Sequence, residues 1–187
     1  MAIVENNLFL YGLKGKIGGQ IVVRQTKRGT VVAVPPRSTE GRELTVGETN
    51  QRERFRLGVM YGKGAKDRPE YKEAAIARKI SGFNVATADF LHPPEIPEIN
   101  LAQYSGRQGD TIYARAFDDI EVDRVGIMIV GQDNALVEQG QMARDANDKT
   151  LWSYTATAEA GATHVQVIVD AADLASQVTK QTAEKDL

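Results

Sequence analysis

The sequence has no cysteine and no long apolar run among its 187 residues. The absence of cysteine excludes disulfide bonds and thiolate chemistry. No run approaches the roughly 20 apolar residues that span a bilayer, so we expect no transmembrane helix. The first residues also lack the basic region and the apolar stretch of a signal peptide. We therefore expect synthesis in the cytoplasm, with release by lysis or by a dedicated secretion machine left open.

Catalytic motifs are missing as well. The two histidines, His92 and His164, lie far apart in the sequence, and no pattern brings them together with carboxylates. Ser81, Ser105 and Ser153 lack the strand-to-helix context of a nucleophile elbow. We therefore predict that the protein is not an enzyme and that it uses no cofactor.

The feature that is present is a strong asymmetry of charge. Residues 1–92 hold 16 lysines and arginines against 9 aspartates and glutamates, whereas residues 93–187 hold 7 against 16. The change falls at Pro93 and Pro94, which are typical of a linker. The sequence therefore predicts a basic module over residues 1–92, a proline-rich linker over 93–99 and an acidic module over 100–187. Opposite charges at two ends suit a subunit that assembles head to tail.

The basic module is predicted to be a β-hairpin followed by short helices. Residues 21–23 and 30–34 are β-branched runs, and the segment between them ends in Gly29, which suits a hairpin turn. A first helix is expected to begin at Thr49 or Asn50 and to stop at Gly62 and Gly64. A second helix has Pro69 in its first turn, and its inner side is predicted to carry Tyr71, Ala74, Ala75 and Ile80. A third apolar stretch leads to His92.

The acidic module reads as a series of short strands. The linker over residues 93–99 is expected to be stiff and extended, because proline fixes φ and disfavours helix in the residue before it. A first strand is predicted over residues 101–104. Alternating or β-branched runs then follow at residues 111–117, 122–130, 135–138, 151–157, 164–169 and 177–182. Such spacing is typical of an antiparallel sandwich, so the predicted fold class is α+β.

Three segments of the acidic module carry a family resemblance. The stretches YSGRQGDTIYARAFDDIEVDRVGIMIV, LWSYTATA and VQVIVDAADLASQVT resemble a bacterial immunoglobulin-like domain over about residues 97–183. The resemblance implies an immunoglobulin-like sandwich and no particular function. The whole chain also resembles a group of uncharacterised bacterial proteins with a glycine-rich hairpin, a helix carrying Gln51, Arg54 and Phe55, and a sandwich tail.

The basic module offers candidate contact residues. A glycine-rich segment over residues 12–19 lacks the strand-loop-helix context of a phosphate loop and is interpreted as a bend or a backbone contact. Cations on the hairpin and the following arm are candidates for an interface with another subunit or for polyanion contact, namely Lys14, Lys16, Arg24, Lys27, Arg28, Arg37 and Arg42. Interleaved glutamates and the lack of a stacking ladder favour the subunit interface over nucleic acid.

An acidic face is predicted on residues 118–123. Its members are Asp118, Asp119, Glu121 and Asp123. Asp118 and Asp119 are explained as turn formers, whose side chains bond their own backbone. The alternative is an oxygen-only calcium site that they would share with Asp110, Asp170 and Asp173.

Two aromatic residues admit two interpretations. Trp152 and Tyr154 share one strand face. Exposed, they would form a platform for sugar stacking; buried, they would be the centre of a small sandwich core, which we favour.

The predicted function is that of a non-enzymatic structural subunit or adaptor of a larger bacterial or phage-derived assembly. Its predicted partners are copies of itself and other assembly proteins. The alternatives are a nucleic-acid-binding module and a carbohydrate-binding module.

Overall fold

The computed structural model describes residues 2–4, 12–26, 29–35 and 41–187. The chain forms two compact units, residues 1–45 and residues 46–187. The second unit contains both the helices and a β-sandwich, so the fold class is α+β as predicted. The division by compactness does not coincide with the boundary predicted at residue 92, which stays a prediction about the organisation of the chain.

The first unit is an antiparallel sheet of four strands, β1 (Ala2–Val4), β2 (Gly15–Ile17), β3 (Ile21–Thr26) and β4 (Gly29–Ala33). The strands lie in the order β1-β4-β3-β2. The predicted hairpin is β3 with β4, which pair from Val22 opposite Ala33 to Thr26 opposite Gly29. The pairing leaves two residues for the turn, and both lie outside the described residues.

Three helices open the second unit, namely α1 (Val46–Ala65), α2 (Pro69–Arg78) and α3 (Gly82–Leu91). Pro69 stands in the first turn of α2, as predicted. The side chain of Ser81 accepts a hydrogen bond from the Asn84 amide and thereby caps α3. Among the described helices, none is both long and apolar enough to cross a bilayer.

The helix α1 ends at Ala65, one residue beyond Gly64, whereas Gly62 lies inside the helix and does not end it. Gly58 and Gly62 are buried inside α1 and lie one turn apart, on the face that packs against α3. A Cβ atom on Gly62 would overlap Thr87 Oγ1 and would lie 3.1 Å from the Phe83 carbonyl oxygen. Glycine therefore permits the close approach of two helices here.

Ile80, predicted on the inner side of α2, is 46% exposed.

Two antiparallel sheets form the sandwich. One sheet has the order β5-β6-β10-β9 and the other has the order β12-β11-β7-β8. Their strands are β5 (Glu95–Asn100), β6 (Thr111–Phe117), β7 (Val122–Val130), β8 (Leu136–Gln141), β9 (Ala143–Arg144), β10 (Leu151–Thr155), β11 (His164–Asp173) and β12 (Val178–Asp186). Most of these strands were predicted from the alternation of apolar and polar residues.

Most of the segment predicted as a stiff, extended linker is a strand of the sandwich. Residues 95–100 form β5, which pairs with β6 from Glu95 opposite Phe117 to Asn100 opposite Tyr113. The pairing is irregular between Glu95 and Glu98, where Pro97 lacks the N–H that a regular ladder needs. The first strand is therefore this segment, not residues 101–104.

The sandwich encloses the main core of the protein. Trp152 is 4% exposed and Tyr154 is 9% exposed, so the prediction that both are core residues is confirmed. They pack with buried side chains from both sheets, including Ile112, Ile129 and Val167. A guanidinium group, that of Arg144, covers the Trp152 ring at 4.7 Å from its centroid.

Candidate functional site

One face of the sheet of the first unit carries apolar residues, two of which are exposed. Paired residues point to the same side of a sheet and their neighbours to the other. The pairing of Ile17 with Ile21 and of Val23 with Val32 therefore places all four on one face. Val23 is buried, yet Ile17 and Ile21 are 47% and 42% exposed. An apolar surface of this kind is typical of a contact site.

The opposite face of the same sheet carries basic residues. Lys16 is paired with Val22, and Arg24 follows two residues later on β3, so both cations project from the second face. Lys14 and Arg42 are also exposed. Of the predicted cations, Lys27, Arg28 and Arg37 lie outside the described residues. The same face also carries apolar residues, because Arg24 is paired with Val31, which is buried.

The predicted acidic face is partly engaged in local ion pairs. Glu121 accepts a 2.7 Å hydrogen bond from Arg144, whose guanidinium also donates to the Val122 carbonyl. Asp119 Oδ2 lies 2.8 Å from His92 Nδ1. Asp123 is exposed on β7, as alternation predicted. Asp118 is half-buried.

Asp118 belongs to a cluster of three carboxylates, which we call the carboxylate cluster. Its other members are Asp89 on α3 and Asp173 at the end of β11. One oxygen of each residue lies within 4.8 Å of one oxygen of each of the others. Asp89 is fully buried, Asp173 is 2% exposed and Asp118 is half-buried. The cluster therefore lies where α3 meets the turns at the ends of β6 and β11.

In each aspartate of the cluster, one carboxylate oxygen accepts a hydrogen bond. Asp89 Oδ2 accepts a 2.5 Å hydrogen bond from the Tyr71 hydroxyl, and Asp173 Oδ1 accepts one of 2.7 Å from the Gln177 amide. Asp118 Oδ2 accepts a longer bond, of 3.3 Å, from the Ile120 amide. The other oxygen of each residue is buried without a hydrogen-bond partner, namely Asp89 Oδ1, Asp118 Oδ1 and Asp173 Oδ2. Buried polar atoms normally have partners, so three orphans together require a cause.

The electrostatics of the cluster disfavour three negative charges. Burial and the charge of Asp118 together raise the pKa of Asp89 to about 7, against the lowering effect of the Tyr71 hydrogen bond. Burial likewise raises the pKa of Asp173 to about 6. Within the described part of the chain, no lysine or arginine forms an ion pair with any of the three. The cluster therefore needs a proton or a cation to balance its charge.

A tyrosine network fixes the cluster from the helical side. The hydroxyl oxygens of Tyr61 and Tyr71 lie 2.7 Å apart, and burial raises the pKa of both phenols. Tyr61 also donates to the Leu174 carbonyl at 3.0 Å, and Arg68 donates to that same carbonyl at 3.0 Å. The network therefore links α1 and α2 to the turn that follows Asp173.

The sequence pointed to only part of this cluster. The calcium site that the sequence suggested includes Asp118 and Asp173 but not Asp89. Two other residues of that set have different roles. Asp110 accepts two backbone hydrogen bonds, from Ser105 and Arg107, which hold its pKa below its usual range, and Asp170 lies against Gly126 across the sheet. The missed signal is that Asp89 is the only charged residue of the apolar helix α3.

The histidines do not converge. His92 faces Asp119, whereas His164 Nδ1 lies 2.7 Å from Asp186 Oδ1 on the neighbouring strand. Both side chains are substantially exposed. Each contact is a local surface pair of modest expected strength.

Comparison with known proteins identifies no family. No family model and no curated protein matches the chain. A solved structure, the crystal structure of CopC from Methylosinus trichosporium OB3b, is similar with a TM-score of 0.38 and 13% identity, covering 49% of this chain and 89% of that chain.

Proposed function

We propose that this protein is a non-enzymatic structural subunit that assembles with copies of itself. The observation that carries the proposal is the exposure of Ile17 and Ile21, which lie side by side on the apolar face of the first unit. Covering such a face would remove apolar surface from water, with a gain of about 25 cal/mol for each Å².

Charge supports a second copy as the partner. The basic residues Lys16 and Arg24 project from the face opposite Ile17 and Ile21, and the net negative charge of the chain resides in residues 93–187. One subunit therefore presents an apolar surface, a basic surface and an acidic surface. Contacts between unlike surfaces are heterologous, and they generate rings or open filaments. Complementary charge would fix the register of such contacts.

The test is the mass of the full chain in solution. We expect oligomers by light scattering at low salt, and we expect them to shorten as ionic strength rises, because salt screens the charged contacts. The double variant Ile17→Lys, Ile21→Lys is expected to be smaller than the wild type at every salt concentration.

The matched control is Leu136→Lys. Leu136 is 57% exposed, but it lies on β8 of the sandwich. This variant is expected to keep the mass of the wild type. A monomeric wild type at low salt and high protein concentration would contradict the proposal, and so would equal effects of the two kinds of variant.

A second candidate function is nucleic-acid binding by the basic face. The observation that favours it is the projection of Lys16 and Arg24 from one side of the sheet, since clustered cations release counterions from phosphates. A salt-sensitive mobility shift that Lys16→Glu, Arg24→Glu abolishes would support this function. A mobility shift that the variant leaves unchanged would exclude this face as the nucleic-acid-binding site.

The burial of Trp152 and Tyr154 removes the aromatic platform on which the carbohydrate hypothesis was based. Membership of the sandwich in the immunoglobulin-like class remains part of the proposal. It rests on the sequence resemblance and on the pairing of two antiparallel sheets.

A further inference from the structure

We propose that the carboxylate cluster is a calcium site that ties α3 to the sandwich. The inference is independent of the assembly proposal, because all three aspartates belong to the second unit. The ligand is a metal ion rather than a second copy of the chain, and the measurement is calcium binding rather than mass in solution.

The first argument is geometric. Asp89, Asp118 and Asp173 each accept one hydrogen bond through one oxygen, and each keeps a second oxygen that is buried and has no donor. The bonded oxygen restrains the rotation of the carboxylate. One oxygen of each carboxylate lies within 4.8 Å of one oxygen of each of the others, a spacing that matches oxygens bound to a shared ion at about 2.3–2.6 Å each. This is a preorganised set of oxygen ligands.

The second argument is charge. Three carboxylates at this spacing repel one another, and the described ion pairs bring no lysine or arginine to them. Arg68 is bonded instead to Tyr61 and to the Leu174 carbonyl. A divalent cation would balance two of the three charges and would give each orphan oxygen a partner.

The third argument distinguishes calcium from magnesium. Magnesium demands a near-ideal octahedron and retains several water molecules. The orphan oxygens of the cluster have almost no solvent exposure, so an ion that binds them would give up most of its water molecules. Calcium accepts irregular sets of carboxylate and carbonyl oxygens at longer distances, which suits ligands that come from one helix and two turns.

Asp118 is the most exposed member of the cluster. It is half-buried and lines an open cleft of about 190 Å³ together with His92 and Glu95. Neither Asp89 nor Asp173 lines this cleft, so Asp118 is the member nearest to solvent. Asp118 is for this reason the best residue to change.

The experiment compares the full-length wild type with Asp118→Asn, after chelation and then with added calcium chloride. We expect calcium to raise the unfolding midpoint of the wild type to a plateau and to bind with a measurable heat in calorimetry. In Asp118→Asn, affinity is expected to fall on the order of tenfold or more, because a charged ligand is lost. Without metal the variant is expected to unfold at a higher temperature than the wild type, because one repelling charge is removed.

The matched control is Asp119→Asn, which alters the adjacent carboxylate in the same turn. Asp119 pairs with His92 and is not part of the cluster, so this variant is expected to keep the calcium response. Asp173→Asn provides a second test of the site, because its amide oxygen can still accept the bond from Gln177.

Three results would overturn the calcium assignment. The first is a wild type without heat or midpoint shift at millimolar calcium, which would leave shared protons to balance the cluster. The second is an equal or larger response to magnesium chloride. The third is a loss of response in Asp119→Asn as large as that in Asp118→Asn.

Discussion

The two compact units build antiparallel sheets from similar β-branched strands, yet the described residues of the first unit include far fewer buried apolar side chains than those of the second. In the first unit, the described hydrophobic residues that are buried are Val23 and Val31. In the second unit, two sheets enclose a continuous core that includes Trp152 and Ile129. A strand sequence therefore specifies a sheet, whereas stability depends on a second layer to cover it.

Truncation in the sandwich core should have the largest effect. Ile129 lies on β7 and has no solvent exposure. Ile129→Ala removes buried methyl and methylene groups and leaves a cavity, so we expect a loss of about 2–5 kcal/mol in the free energy of unfolding. Denaturant unfolding followed by fluorescence measures this loss, because Trp152 is the single tryptophan.

The companion variant is Val23→Ala in the first unit. Val23 is also buried, but the tryptophan reports on the sandwich. If the two units unfold separately, Val23→Ala should leave the fluorescence transition where it is. A shift comparable to that of Ile129→Ala would show that the units unfold together, and the contrast between them would then be wrong.

A substitution where α1 packs against α3 should have an intermediate effect on the free energy of unfolding. Gly62→Ala would place a Cβ atom against Thr87 and 3.1 Å from the Phe83 carbonyl oxygen. The helices would have to separate, and we expect a loss of about 1–3 kcal/mol. Thermal unfolding of the variant and the wild type under identical conditions measures the difference.

Gly64→Ala is the matched control within the same helix. A Cβ atom on Gly64 would meet nothing within 4 Å. Alanine has the higher helix propensity, so this variant should gain up to about 1 kcal/mol. If both substitutions stabilise the protein, the close crossing at Gly62 does not hold in solution.

The sandwich strands could be predicted because alternation of apolar and polar residues is a local property. The strand over residues 95–100 could not, because Pro97 interrupts the pattern of a strand and its pairing with β6 is a long-range contact. The same limit applies to Gly62, which has the local signature of a helix end and is needed for contact with a helix twenty residues further on.

The carboxylate cluster was only partly predictable for a related reason. Asp118 and Asp173 lie in turns, where aspartate is common, and nothing local distinguishes them from Asp110. Asp89 becomes visible as a cluster member only when α3 packs beside those turns. The alternation of β3 predicts that Ile21 and Arg24 lie on opposite faces of the sheet. It does not predict that Ile21 is exposed.

The smallest effect should come from a surface carboxylate of the second unit. Asp148 accepts hydrogen bonds from the Thr150 hydroxyl, the Thr150 amide and Arg115, and these lower its pKa from 3.8 to about 2. A lowered pKa in the folded state means that the ionised form stabilises the fold above pH 3.8 and that this contribution is lost as the pH falls through about 2. Asp148→Asn should therefore be less stable than the wild type at neutral pH, by less than a core truncation.

This prediction is tested by the pH dependence of the difference in stability. The difference between the midpoints of the wild type and Asp148→Asn should narrow as the pH falls from 3.8 to about 2. Thr150→Val keeps the carboxylate but removes its strongest donor, so it should reproduce part of the same narrowing. If Asp148→Asn instead cost as much as Ile129→Ala at neutral pH, surface charge rather than the enclosed core would stabilise the sandwich. The contrast between the two units would then need another explanation.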